Sequence, residues 1–159
     1  LLRAISETSY KGADIGECLS TACRIKEGDL ESWHKEWLNT AQRVHKYADD
    51  SIAAGHKVSA REAYLRASNY YRAAEFLLMD PEDPRIQITW GNSKECFRKA
   101  AKLFSPQVKV EPVEIPYEQT KLPEYFYSSN NATTSKLAGW SNYLNTTCKS
   151  FNVPCPYVY

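Results

Sequence analysis

The chain lacks an excess of charge of either sign. Its 159 residues hold 20 basic and 19 acidic side chains, and no Lys/Arg cluster breaks the balance. That argues against a nucleic-acid partner. No run is long and apolar enough to span a membrane, and no signal peptide is evident. No G-x-S-x-G elbow, P-loop or G-x-G-x-x-G occurs. Nothing in the spacing therefore assembles a nucleophile, a base and an oxyanion hole, or a phosphate cradle. The five cysteines, at 18, 23, 96, 148 and 155, are odd in number and unevenly spaced. They make neither a disulfide framework nor a zinc site, and the expected state is reduced thiols in the cytoplasm. The three histidines, His34, His45 and His56, stand eleven residues apart. On one helix, the first two lie about 16 Å apart, too far to share a metal. They read as flanking side chains beside a core stripe.

What the chain does have is aromatic and helical. Aromatics make up 13%, with 11 Tyr and 4 Trp, residues that pack as apolar bodies with a polar tip. The length suffices for one domain with a real core. The organising stretch is 59–79, read as a single helix. Ser59 and Glu62 read as a capping box, and Asp80-Pro81 as the stop. Ala60, Ala63, Tyr64, Ala67, Tyr71, Ala74 and Leu78 recur at helical steps, and Leu65, Ala73 and Phe76 make the back face apolar too. Such a helix is expected to be buried on more than one side.

In chain order, Leu1–Tyr10 carries a short apolar pattern, broken at Lys11-Gly12. Asp14 caps a short helix to about Ile25, with Ile15, Leu19 and Ala22 inward. Asp29–Ala54 is the longest helix, with Leu30, Trp33, Trp37, Ala41, Val44, Ala48 and Ile52 on one stripe, ended by Gly55. The short link predicts an antiparallel neighbour in the organising helix. Asp83 and Pro84 open a further helix to about Phe104, using Ile88, Trp90, Phe97, Ala101 and Phe104. The period then changes. Val108, Val110, Val113 and Ile115 approach alternation, with Pro112 marking an edge or bulge. Glu118–Thr120 turns, and Leu122, Tyr125 and Tyr127 continue as a second strand. Ser128–Lys136 reads as a polar loop, and Trp140–Tyr159 shows no period. A lone hairpin is marginal in water, so it needs a sheet.

The expected fold is mainly α: about four helices over 1–105, a β-hairpin over 106–128, and a loop and irregular tail over 129–159. The candidate site lies on the organising helix. Arg61, Ser68, Arg72 and Glu75 share a flank, with Tyr64, Tyr70 and Tyr71 beside them. Tyr64, Ser68, Tyr71, Arg72 and Glu75 form a candidate polar pocket wall, where Arg and Tyr donate to a carbonyl or phenolate and Glu75 orients Arg72. The plain alternative is an intrahelical Arg72–Glu75 pair worth about 0.2–0.5 kcal/mol. Cys18 and Cys23 fall on different sides of their helix. Cys148 and Cys155 approach each other only if the tail turns at Pro154.

Three stretches taken together resemble one family: GADIGECLSTACRI followed by GDLESWHKEWLNTAQRV, then SAREAYLRASNYYRAAEFLL, then VEIPYEQTKLPEYFY. They are similar to the N-terminal half of α/β-hydrolases of the kind that includes 2,6-dihydropseudooxynicotine hydrolase and the fungal pigment-pathway hydrolases that shorten polyketide chains. The resemblance runs from about Leu2 to about Lys136. It implies that the helices are a cap over a small-molecule substrate and that the hairpin is the first strand pair of the hydrolase sheet. It also implies a Ser-Asp-His triad further along, cleaving carbon–carbon or ester bonds without a cofactor. No triad residue can be placed in this chain, which reads as a truncated member, inactive alone. The chain opens on Leu1, as a trimmed N-terminus would. An uncovered apolar face predicts self-association. A second reading is a tetratricopeptide-like binding module, although no repeat of about 34 residues is visible. A third, a small enzyme built on Arg72, Glu75 and the tyrosines, has no support in the spacing.

Overall fold

The computed structural model describes residues 1–104, 108–129 and 138–139. It is mainly helical, with a β-hairpin after the helices. The chain divides into two units, Leu1–Leu103 and Phe104–Tyr159. The first holds helices α1 (Leu2–Ser6), α2 (Ile15–Ala22), α3 (Leu30–Ala53), α4 (Lys57–Glu75) and α5 (Pro84–Lys102). A 3₁₀ turn, Glu7–Tyr10, follows α1 and ends at Lys11 in the left-handed region (φ 64°).

Local chemistry sets most boundaries. The carboxylates of Asp14, Asp29 and Asp83 accept the amides of Glu17, Ser32 and Arg85 and so cap α2, α3 and α5. Pro84 opens α5, where its missing N–H costs nothing. Gly55, at φ 80°, ends α3 in a conformation that other residues rarely adopt, and the chain re-enters a helix two residues later.

The start of α4 departs from the capping-box expectation. The helix begins at Lys57, with His56 at the cap position and no side-chain cap bond. Ser59 is already inside the first turn. The tight link explains this. His56 N–H donates to Ser51 O at 2.8 Å, and His56 O already accepts the Ala60 amide at 3.0 Å, so helical bonding starts before the serine. The far end also comes early. α4 stops at Glu75, and Leu78 N–H closes a turn on Glu75 O, which leaves Leu77 to Met79 outside the helix.

α4 packs against both α3 and α5. Its Ala60, Ala63, Ala67 and Ala74 have no exposed surface, and Tyr64 and Tyr71 are nearly as buried. The back face is wetter than the sequence suggested: Leu65 and Ala73 are half-buried, and Phe76 is exposed beneath the Arg3 guanidinium, 5.0 Å from its ring centroid. From α3 come Trp37, Ala41, Val44 and Ala48, and from α5 Cys96 and Ala100. The Trp37 ring lies 5.8 Å from that of Trp33 and 5.5 Å from that of Tyr70. Trp37 Nε1 is buried without an acceptor, the one such side-chain atom among the described residues.

The stripes of α2 and α5 are rotated from expectation, and that of α3 holds except at its ends. In α2, Ile15 and Leu19 are exposed, and Cys18 and Thr21 are buried instead. Thr21 is drawn in by a 2.7 Å hydrogen bond to Thr40 of α3. In α5, Ile88 is exposed and Trp90 and Phe97 are half-buried; Ala101 is buried as expected, and Thr89, Ser93, Cys96 and Ala100 face inward beside it. Phe104 falls beyond the helix. Leu30 and Ile52, at the two ends of the α3 stripe, are exposed.

The second unit contains β1 (Val108–Tyr117) and β2 (Thr120–Ser129), antiparallel, and β3 (Ala138–Gly139), which pairs with β2 at Phe126 and Tyr127. The turn is Glu118-Gln119, with Glu118 at φ 50°, where glycine is the usual occupant. The register runs unbroken through Pro112, opposite Tyr125, so Pro112 marks an edge strand and not a bulge. β2 extends through Ser128 and Ser129, which the sequence placed in a loop, and Ala138-Gly139 form a strand that the sequence did not indicate. Alternation puts Val110, Pro112, Tyr125 and Tyr127 on one face and Val113, Ile115, Leu122 and Phe126 on the other. The rest of the expected loop and tail, 130–137 and 140–159, lies outside the described residues.

The close approach around α4 gives a direct test. Ala67→Leu should cost about 1–3 kcal/mol in urea unfolding, because added methylenes have no space there. Val58→Ala, 60% exposed on the same helix, should stay within about 0.5 kcal/mol.

Candidate functional site

The five pocket-wall candidates all lie on α4, but the structure distributes them among separate partners. Arg72 pairs with the carboxylate of Glu75, one turn on. The other Glu75 oxygen accepts the Thr89 hydroxyl of α5 at 2.9 Å. Glu75 is 8% exposed and Arg72 is a quarter exposed. Burial raises the Glu75 carboxyl above its ordinary value, although Arg72 and Thr89 pull the other way. Burial likewise lowers the Arg72 guanidinium. Both shifts have one sense: the low-dielectric surroundings outweigh the pair's attraction. The intrahelical Arg72–Glu75 pair of the plain alternative is thus present, but it is largely buried, and the second Glu75 oxygen links α4 to α5.

Ser68 donates to Ser93 O at 3.0 Å and lies 3.1 Å from Ser93 Oγ, again joining α4 to α5. Tyr64 and Tyr71 point toward α3. Tyr64 donates to Asp49 Oδ1 at 2.6 Å, and Tyr71 Oη lies 3.2 Å from His45 Nδ1. Lys99 of α5 completes the group. Its Nζ is 3.2 Å from both His45 Nε2 and Asp49 Oδ1 and 3.0 Å from Glu95. Burial opposes the Lys99 charge, but hydrogen bonds to Glu95 and Asp49 raise its pKa to about 12. Burial, together with the hydrogen bond to Asp49, pushes Tyr64 up to about 12, and burial does the same for Tyr71.

This five-residue group was not read from the sequence. Its one local signal is His45 and Asp49 at i and i+4 on α3; Lys99 is brought in by the fold alone. His34 is buried, with Nδ1 2.9 Å from Ala74 O, a core contact of the kind expected for a flanking histidine.

Tyr70, set beside the candidates, does different work. Its hydroxyl accepts the Asp14 amide at 2.8 Å and donates to Glu17 at 2.7 Å, and Glu17 also takes Arg66 at 3.0 Å. Burial holds the Tyr70 hydroxyl far above the ordinary phenol value. Tyr70 therefore seats the α2 N-terminus on α4. Arg61 lies 3.8 Å from Glu62, its neighbour on α4.

Little here resembles reaction machinery. Cys18, Cys23 and Cys96 are free thiols. Burial pushes Cys18 up to about 11 and Cys96 up to about 12, so neither supplies a thiolate near neutrality. Among the described residues no His/Cys/Asp/Glu group is arranged for a metal, and no helix is long and apolar enough to cross a membrane. What the arrangement does is tie α3 and α5 to α4 through polar side chains.

No protein-family model matches the chain. Individual proteins do. Over 118 residues the chain is 48% identical to Hydrolase LUC6 of Fusarium sp, covering 74% of this chain and 28% of that protein. It is 43% identical over 128 residues to 20-hydroxy-prefusarin hydrolase FUS2 of Gibberella moniliformis, covering 79% and 30%. It is 40% identical over 128 residues to the α/β-hydrolase xenA of Xenoacremonium sinensis, covering 80% and 29%. The chain is homologous to part of the fungal α/β-hydrolases. A solved structure agrees. 2,6-Dihydroxy-pseudo-oxynicotine hydrolase superposes with a TM-score of 0.56 at 28% identity, over 72% of this chain and 30% of that one. The chain therefore spans about three-tenths of the length of the α/β-hydrolases it matches.

The Glu75 link can be separated from a simple surface pair. Glu75→Ala should cost about 3 kcal/mol, because Arg72 is left without its counter-charge. The double variant Arg72→Leu/Glu75→Leu should recover most of that loss, as read by a double-mutant cycle in urea.

Proposed function

We propose that this chain is the helical cap and first strand pair of an α/β-fold serine hydrolase that acts on a small secondary-metabolite-like molecule. The supporting observation is that the matches to proteins named as hydrolases and to a solved hydrolase take in about three quarters of this chain and under a third of theirs. The hairpin fits that reading. It carries apolar residues on both faces, as a strand pair does when a larger sheet continues beyond it and is covered on both sides. The bond cleaved is a carbon–carbon or ester bond, and the nucleophile belongs to the part of the α/β-hydrolase that these residues do not match.

In this reading the helices form a wall over the substrate. Tyr64, Ser68, Tyr71, Arg72 and Glu75 support that wall. Each has polar atoms bonded within α4 or to a neighbouring helix, so they act on substrate through the wall's shape. We further propose that the exposed apolar residues, Leu2, Phe76, Met79 and Ile88 among them, are covered in the assembled enzyme, by its own remainder or by a second copy.

The experiment is a chimera. Residues 1–129 replace the matching stretch of Hydrolase LUC6, and ester hydrolysis is assayed beside the 159-residue chain alone. The chimera should fold and turn over. The chain alone should give no turnover above buffer. Enzyme-like turnover by the chain alone, lost on changing one of its own residues, would falsify the proposal. In an active chimera, Glu75→Gln should raise KM more than it lowers kcat.

A further inference from the structure

α3 and α5 both pack on α4. Two polar links reach across from α5 to α3. At one end Arg85 holds Glu31, at 2.5 and 3.0 Å. Fourteen residues further along each helix, about 21 Å away at helical rise, Lys99 reaches His45 and Asp49. The first link joins two groups that stay charged above the carboxylate range. The second uses an imidazole as its acceptor.

An ammonium has no lone pair. Lys99 can donate to His45 Nε2 only while that nitrogen carries no proton. The ring proton then sits on Nδ1 and is directed at Tyr71 Oη, 3.2 Å away. The groups facing the ring are Asp49 from α3, Tyr64 and Tyr71 from α4, and Glu95 and Lys99 from α5. Asp49 and Glu95 favour a charged imidazole. But Asp49 Oδ1 is already engaged by Tyr64 and Lys99, its Oδ2 is 3.8 Å from Nε2, and its side chain is half exposed, which weakens its pull.

We propose that the contact between His45 and Lys99 is an acid-sensitive latch, which ties α5 to α3 across α4 while His45 is neutral and opens when His45 takes a proton. Protonation converts an accepted hydrogen bond into two cations 3.2 Å apart. The direction of titration agrees. Burial lowers the His45 pKa, and Lys99 adds to the lowering, against Asp49 and Glu95. The unfolded chain then binds the extra proton more readily than the folded one. Stability from this group is complete above the unfolded imidazole value of about 6.5 and is lost as pH falls below it.

The latch is independent of hydrolysis and is tested on the whole chain. Imidazole signals are followed by NMR through a pH titration, with His45 assigned from the His45→Gln spectrum. Its midpoint should lie below about 6.5 and move upward in Lys99→Met. From pH 7 to pH 5 the wild-type melting temperature should fall further than that of Lys99→Met, by about 2–4 °C. If His45→Gln does not fold, the His34→Gln and His56→Gln spectra assign the other two imidazoles and leave the third signal to His45. A His45 midpoint at or above the ordinary imidazole value, or one that Lys99→Met leaves in place, overturns the latch.

Discussion

The structure depends on how closely two helices can approach α4. Ala60, Ala63, Ala67 and Ala74 present almost no side chain, so backbones meet where larger residues would hold them apart. Bulk returns at Tyr64, Tyr70 and Tyr71, which fill the space beside the alanines and carry hydroxyls to α3 and α2, while Ser68 and Glu75 reach α5. That combination of small residues for approach and polar side chains for reach explains why one helix can serve α2, α3 and α5 at once.

Close packing of this kind leaves little room for water, so a polar tip that enters is costly without a protein partner, and Trp37 Nε1 is the one such atom among the described residues that lacks one. The cross-links follow from that need. Tyr70 takes the Asp14 amide, Ser68 meets Ser93, and Glu75 joins Arg72 and Thr89. These bonds hold the helices in register more than they add net stability, since each exchanges a bond to water for one to protein. The same burial raises the thiols of Cys18 and Cys96 out of the reactive range. In the proposed place in an α/β-hydrolase, a wall built this way would shape a substrate's surroundings and leave bond-breaking to groups elsewhere.

Much of this was legible in the chain. Asp14, Asp29 and Asp83 cap where a short acceptor precedes a periodic run, because capping is a contact over two or three residues. The alternation after Val108 and the proline on an edge strand are equally local. Ser59 misled for a physical reason: a capping serine needs an orphan amide, and the three-residue link from α3 had already begun the helical bonding at His56. Ile15, Leu19 and Ile88 misled because apolar spacing tells that a helix has a face, not which neighbour it will meet. Thr21 and Thr89, less apolar, went inward because Thr40 and Glu75 were waiting there.

By itself, then, the sequence determined the helical and hairpin segments, the Ala-rich helix as their centre and the relation to α/β-hydrolases, because caps, breakers and periodicity act over a few residues and long motifs persist in a chain. Only the tertiary structure decided what the polar residues do. Tyr64, Asp49, His45, Tyr71 and Lys99 lie on three helices and up to 54 residues apart, and no local pattern announces that Lys99 will meet an imidazole. Protonation, burial and charge depend on distance in space, and that distance exists only once α3 and α5 have closed on α4.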